Sequence, residues 1–365
     1  MIAMVIGTTA ELIKMAPVYH ELKSLNLKPE IWWTGMHNQE IELSFREFEV
    51  DSPTVSLGGK PGRDVESTFQ AIQWFLQVAF NGIRKRSSLR KQLNKVGKPM
   101  VMVHGDTFTT LIGSALGRFW RATVMHVEAG YRSGSLRSPL PEEFNRTAAA
   151  KFTNVHFAPG AQQAQNLSGN SGIVIDTQVN TAIDALRWIS SGATDAEFDG
   201  SVPFGVVTLH RFEFLSDEAL VIRTVEQLKK TSRFIKLYYF AGSHDKHILS
   251  ELGLLADIPD SLIIRDKMEF KKFIPIVKNA QVIITDSGGL ALEANFLGIP
   301  ALIHRLRTEN QDGVGVTSKL SKLDVSCFDD FVINRDQYRG PNLVDTHYPS
   351  KQIAQYVENF FSQVK

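Results

Sequence analysis

Short apolar runs separated by stretches of helical spacing recur from the first residues to beyond residue 300, a rhythm that restricts the chain to layered α/β structure. The runs at 2–6, 30–34, 100–103, 123–127 and 154–157 end in polar residues or glycine, as buried parallel strands do before their loops. An amphipathic stretch over 12–22 joins the first two. A second set follows at 173–175, 205–209, 234–240, 262–264, 281–285 and 301–303. Because 365 residues exceed what one hydrophobic core usually serves, the pattern predicts an α/β protein of two doubly wound, Rossmann-like domains facing a central cleft. The polar stretch 160–172 is the expected junction, giving domains over 1–168 and 169–346. Ile353, Ala354, Val357, Phe360 and Phe361 have helical periodicity, so 347–365 is expected to pack as a helix back on the first domain.

Charge narrows the partners. With 40 basic and 39 acidic side chains, no overall field attracts nucleic acid or an anionic membrane, and neither partner is expected. A single cysteine, Cys327, excludes an internal disulfide framework and a cysteine-based zinc site; it reads as a buried structural thiol in a reducing compartment. No apolar run reaches the roughly 18 residues of a membrane helix, and the first six residues lack a basic leader, which points to the cytoplasm.

Open parallel sheets bind ligands at the carboxyl ends of their strands, so polar residues just after the apolar runs carry the chemistry. His104-Gly105-Asp106-Thr107 follows one run, and Asp106 there is either a helix N-cap or a catalytic acid. His126-Val127-Glu128-Ala129-Gly130 follows the next and places Glu128 on the same sheet edge. In Ser138-Pro139-Leu140-Pro141-Glu142-Glu143-Phe144-Asn145-Arg146, two prolines fix a loop and the acids open a helix, where carboxylates are also favoured electrostatically. Thr208-Leu209-His210-Arg211 closes a strand of the second domain, so that His210 is expected to face those carboxylates across the cleft as an acid/base group. Thr285-Asp286-Ser287-Gly288-Gly289-Leu290-Ala291-Leu292-Glu293 reads as strand, small-residue turn and helix start. Its glycines and free amides suit a diphosphate, and Glu293, one turn on, suits the ribose hydroxyls. Neither GxxxxGK[ST] nor GxGxxG is present. His244 and His247 have i, i+3 spacing without an acid at zincin spacing, so that segment reads as a polar loop; no metal and no cofactor are expected.

Taken in order, these blocks resemble the UDP-N-acetylglucosamine 2-epimerase family, with support from Asn180-Thr181-Ala182-Ile183-Asp184-Ala185-Leu186 and from Gly7-Thr8, Glu11 and Ile13-Lys14-Met15-Ala16-Pro17. The resemblance spans nearly the whole chain and implies a GT-B type of fold. It places Asp106, Glu128, Glu142 and His210 on catalytic positions, with Arg146 following the acidic loop. Lys14, His244, Phe273, Ser287, Gly288, Gly289 and Glu293 fall on positions for the substrate or its nucleotide. It further implies a UDP-sugar substrate, a homodimer, and inversion at C2 of the sugar by expulsion of UDP to a 2-acetamidoglucal and re-addition, or hydrolysis to free N-acetylmannosamine.

The departures lie in the pocket. Thr9 and Ala10 replace the family's usual arginine and proline, and Thr308-Glu309-Asn310-Gln311-Asp312 replaces Thr-Glu-Arg-Pro-Glu, so two ligand-facing guanidinium groups are missing. Ala291-Leu292 stands for Gln-Glu, and Thr34-Gly35-Met36-His37 for Thr-Gly-Gln-His. Thr and Asn do not reproduce the paired charged hydrogen bonds of arginine, each worth on the order of 1.5–3 kcal/mol. A GT-B glycosyltransferase, taking a UDP-sugar donor and an unknown acceptor, is therefore the alternative; a non-enzymatic sugar-nucleotide sensor would not need the acids.

Overall fold

The structure is a computed structural model describing residues 1–36, 41–58, 64–65, 68–95, 97–132, 142–189, 198, 201–308 and 311–362. The chain divides into two compact units, one comprising Met1–Ala185 with His347–Lys365 and the other Leu186–Thr346. Among the described residues, no helix is long and apolar enough to cross a membrane.

The first unit is built on a seven-stranded parallel sheet. Its strands in chain order are β1 (Ile2–Ile6), β2 (Pro29–Trp33), β3 (Val55–Ser56), β4 (Met100–His104), β5 (Thr123–Val127), β6 (Val155–Ala158) and β7 (Ile173–Asp176), arranged β3-β2-β1-β4-β5-β6-β7. β1 and β4 are buried along their whole length, which is why they read as unbroken apolar runs. Met1, Ala3, Val5, Val101 and Val103 pack with Trp32, Trp74 and Trp120 on one face. The order reverses between β1 and β4, so the loops after these two strands diverge and leave the crevice in which such sheets hold ligands.

Two expectations are corrected here. Residues 173–175 do not open the second unit: β7 pairs in parallel with β6, with His156 opposite Val174, and forms a partly exposed edge of the first sheet. The polar stretch 160–172 is the β6–β7 crossover, containing the helix Ala161–Gln165, and the division between units falls after Ala185. The C-terminal helix Pro349–Ser362 packs on the helix Thr9–Ser24 of the first unit. Ile353, Ala354 and Val357 are its buried stripe, the Ser350 amide donates to Asp184 Oδ2 at 2.7 Å, and Tyr356 meets Phe157 edge-on at 5.6 Å.

The second unit carries a six-stranded parallel sheet of β8 (Phe204–Thr208), β9 (Lys236–Ala241), β10 (Leu262–Asp266), β11 (Val282–Thr285), β12 (Ala301–Ile303) and β13 (Ser318–Leu320), arranged β10-β9-β8-β11-β12-β13. Strand alternation divides its core: Val207, Tyr239 and Ile284 face one cluster, while Val206, Tyr238 and Ile283 face the other. The reversal lies between β8 and β11, which puts the ends of those two strands at the ligand crevice of this sheet.

Candidate active site

In each unit, the motifs singled out in the sequence converge on the strand-order reversal or the strand beside it. In the first unit, β1 runs into Gly7 and Thr8, and Thr8 caps the helix Thr9–Ser24 in a reciprocal capping box with Glu11. Gly7 is required by crowding, since a Cβ there would lie 2.1 Å from Thr109 Oγ1 and 2.2 Å from Thr34 Oγ1. Buried Glu11 ties this turn to the next one: Oε2 accepts the Gly7 and Thr8 amides at 2.8 and 3.0 Å, and Oε1 accepts the Thr107 hydroxyl at 2.5 Å. Burial pushes the Glu11 carboxyl above its ordinary range against these bonds.

β4 runs into Gly105, Asp106 and Thr107. Thr107, not Asp106, caps the helix Phe108–Phe119 by accepting the Thr109 and Thr110 amides, so the Asp106 carboxylate is released from capping. It is instead hydrogen-bonded to Arg146 Nη2, and the Asn145 amide group donates to the Asp106 carbonyl at 2.9 Å. Both partners come from the helix Glu142–Ala150, whose Glu143 also lies 3.4 Å from Arg146 Nη1. Burial opposes the Arg146 charge, but Asp106 and Glu143 outweigh it and raise its pKa. Glu142 begins the same helix, and among the described residues no hydrogen bond reaches its buried Oε2. The loop before it, residues 133–141 including Ser138–Pro141, lies outside the described residues.

β5 runs into Glu128, which has φ of +64°, a costly backbone region for a residue with a side chain. Two side chains lie against its Oε2: Lys14 Nζ, which donates to it at 2.8 Å, and the ring of His104, whose Nε2 is 2.9 Å away. Burial alone would raise this carboxyl, yet Lys14 and His104 win and hold it well below the carboxylate range. Buried His126, two residues earlier on β5, donates Nε2–H to the Gly105 carbonyl at 2.7 Å, and desolvation lowers its pKa to about 3. It is a neutral brace between two turns.

In the second unit, β8 ends at Thr208 and β11 at Thr285, paired side by side with their hydroxyls 2.7 Å apart. Asp286 follows β11, and its Oδ2 accepts the amides of His210 and Arg211 at 2.9 and 2.8 Å. Ser287 caps the helix Gly288–Leu297, leaving Gly288 and Gly289 at the first turn, where backbone amides have no intrahelical acceptor. A Cβ on Gly289 would meet nothing closer than Ser287 Oγ at 3.8 Å, so this glycine leaves open space in front of the helix. Glu293 is half-buried one turn along, and Phe273 packs edge-on against Phe240 at 5.1 Å. His244 is exposed in the first turn of the helix Ser243–Glu251, so that segment is a helix start rather than a loop. Among the described residues, no group of three His, Cys, Asp or Glu is placed to hold a metal. Cys327 is half-buried rather than buried, at the start of the helix Cys327–Ile333.

Of the positions where the pocket departs from its relatives, Thr9 is half-buried and Ala10 exposed in their first helical turn, whereas His37, Glu309 and Asn310 lie outside the described residues. Three residues with a positioning place stand inside the quoted motifs but receive no role from sequence: Glu11, His104 and Asp286. Only Glu11 had a local signal, the Thr8-x-x-Glu11 capping spacing.

Two parallel-stranded sheets covered by helices, each with its polar turns at the strand-order reversal, place the chain in the GT-B class of α/β enzymes. A family model described as UDP-N-acetylglucosamine 2-epimerase matches residues 20–325. The UDP-N-acetylglucosamine 2-epimerase of Escherichia coli O157:H7 is 30% identical over 328 residues, covering 85% of this chain and 83% of that protein. Among solved structures, S. aureus MnaA in a co-structure with UDP superposes with a TM-score of 0.80 at 26% identity, over 99% of this chain and 96% of that one. The UDP-GlcNAc 2-epimerase from Neisseria meningitidis bound to UDP-GlcNAc gives 0.78 at 26% identity, over 98% and 99%. The chain belongs to the UDP-N-acetylglucosamine 2-epimerase family.

Proposed function

We propose that the protein inverts C2 of UDP-N-acetylglucosamine by eliminating UDP and adding it back. The observation that carries this is the unequal setting of three carboxyl groups in the first unit: Glu128 held as a carboxylate beside Lys14 and His104, Asp106 paired with Arg146, and Glu142 with an oxygen that no partner among the described residues reaches. Groups differing in environment are what proton removal and proton return on opposite faces of one carbon require. A base takes the C2 proton, the electron pair forms the C1–C2 double bond, and the C1–O bond breaks to release UDP. The reverse sequence, with the proton delivered to the other face, gives UDP-N-acetylmannosamine. Ser287, Gly288 and Gly289 supply the diphosphate site, Glu293 the ribose contact, and Phe273 and His244 further nucleotide contacts, while His210 serves as an acid/base group. If water intercepts the glycal, free N-acetylmannosamine leaves instead. The transferase reading is not better supported by the relatives.

Incubation with UDP-N-acetylglucosamine in deuterated water, followed by proton and phosphorus NMR, tests this. Deuterium at C2 with UDP-N-acetylmannosamine is the expected result. Absence of C2 exchange while substrate is bound would overturn it, and UDP release only on addition of an acceptor would establish transfer.

The same reading includes a second copy of the chain. Phe69, Ile72, Leu76, Phe80 and Ile83 form one stripe on the helix Thr68–Arg84, and each is more than half exposed. A contiguous apolar helix face of this length suits a self-complementary dimer contact. The single cysteine and the UDP-sugar substrate fit a cytoplasmic location.

A further inference from the structure

One buried acid has no place in the scheme above. Asp286 is 1% exposed at the end of β11, and its two oxygens are used differently. Oδ2 accepts two backbone amides, those of His210 and Arg211, which fixes the turn after β8. Oδ1 is buried, has no hydrogen-bond partner among the described residues, and lies 3.7 Å from His210 Nδ1. A buried carboxylate oxygen left unbonded is costly, and here the nearby donor is a ring whose side chain is 48% exposed. With Nδ1 turned to Asp286, the other ring nitrogen is the one left for a substrate. Among the charged and titratable groups around Asp286, Arg211 belongs to the same turn, and Tyr239 of β9 donates its hydroxyl to the Leu209 carbonyl at 2.9 Å.

We propose that Asp286 is a positioning residue for His210: it holds the turn through Oδ2, and through Oδ1 it keeps the proton on Nδ1 so that Nε2 meets the substrate. The 3.7 Å separation needs less than about 1 Å of closure to become a hydrogen bond, as catalytic contacts often do when substrate binds. When Nε2 accepts a proton, the N–H bond forms there, the ring becomes imidazolium, and Asp286 remains a carboxylate that balances the new charge. The backbone bonds and the ring contact come from one side chain, so the orientation of His210 is tied to the β8–β11 pairing.

This inference rests on His210 acting in the proposed epimerisation, and the test separates the two. Asp286→Asn can still accept the backbone amides through its remaining oxygen, but it offers an N–H where Nδ1–H needs an acceptor. With 15N-labelled histidine, the wild-type protein bound to UDP is expected to show His210 protonated at Nδ1, and D286N is expected to show it at Nε2. In D286N, kcat should fall roughly 10³-fold with KM changed little, and Asp286→Glu should recover part of the loss. An Nε2–H ring in wild type, or an unchanged ring in folded D286N, overturns the inference; the first measurement holds even if D286N fails to fold. Should the ring switch as expected while His210→Ala keeps full turnover, the positioning is upheld and the catalytic reading of His210 is the one that fails.

Discussion

Lys14 Nζ lies 2.8 Å from Glu128 Oε2 and 3.1 Å from Oε1, joining the helix after β1 to the residue after β5. Removing the cation from this largely buried pair leaves a carboxylate with His104 as its one remaining partner in charge among the described residues. Lys14→Met is expected to cost about 3 kcal/mol of stability and to lower kcat at least ~100-fold. The sign of the pH effect is fixed by the pair. Glu128 is held ionised below its ordinary range, so losing Lys14 lets burial raise its pKa, and the acid limb of kcat/KM moves to higher pH. A rise in KM alone, with kcat and the acid limb unchanged, would show instead that Lys14 serves the nucleotide.

Arg146 bonds to Asp106 and Glu143 from within the first unit, and a lysine cannot span both carboxylates in the same plane. Arg146→Lys is expected to reduce turnover roughly 100-fold with circular dichroism unchanged. Turnover within twofold of wild type would show that charge, not the two-point geometry, is what Asp106 needs.

At Gly289 the fold and the diphosphate can be separated. The Cβ of Gly289→Ala meets nothing closer than Ser287 Oγ at 3.8 Å, so the thermal midpoint should hold, while KM for the UDP-sugar rises about 10- to 100-fold, the equivalent of one charged hydrogen bond. Isothermal titration with UDP checks this. Unchanged UDP affinity would remove the turn from the nucleotide site.

Two buried histidines make stability depend on pH. Burial lowers His304, bonded to Thr224 and Ser321, to about 4, and His126 to about 3, both from an ordinary value of 6.5. The unfolded chain takes up these protons near pH 6.5 and the native chain does not. Their stabilisation is therefore complete above 6.5 and declines as pH falls toward about 4 for His304 and about 3 for His126. For His304 the loss is on the order of 3 kcal/mol. Glu11 and Asp286, both raised by burial, act in the opposite direction, so the clean measurement is a difference: urea unfolding of wild type and His304→Asn at pH 7 and pH 4.5. The variant should show the shallower pH dependence.

On the exposed stripe of the helix Thr68–Arg84, Leu76→Glu with Phe80→Glu should halve the sedimenting mass and leave the circular dichroism unchanged. A wild-type monomer at micromolar concentration would rule out the dimer assignment.

Much of this was legible in the sequence because parallel strands buried on both faces announce themselves as apolar runs, and the residue after each run is placed by topology. That placement is what singles out Asp106, Glu128 and His210, each within two residues of a strand end. What the sequence concealed depends on side-chain contacts between distant turns. Nothing local marks Asp286 as the acceptor for amides 75 and 76 residues earlier, or Lys14 as the partner of an acid 114 residues later. The sheet to which β7 belongs is not legible locally, because an edge strand carries the same Ile-Val-Ile run whether it closes one sheet or opens the next.

The helix Pro349–Ser362 completes the unit whose first strand begins at Ile2. During synthesis, the stripe on the helix Thr9–Ser24 that it covers must wait until the whole of Leu186–Thr346 has left the ribosome. The second unit is contiguous and can fold first, so the part of the chain made earliest is the last to be finished.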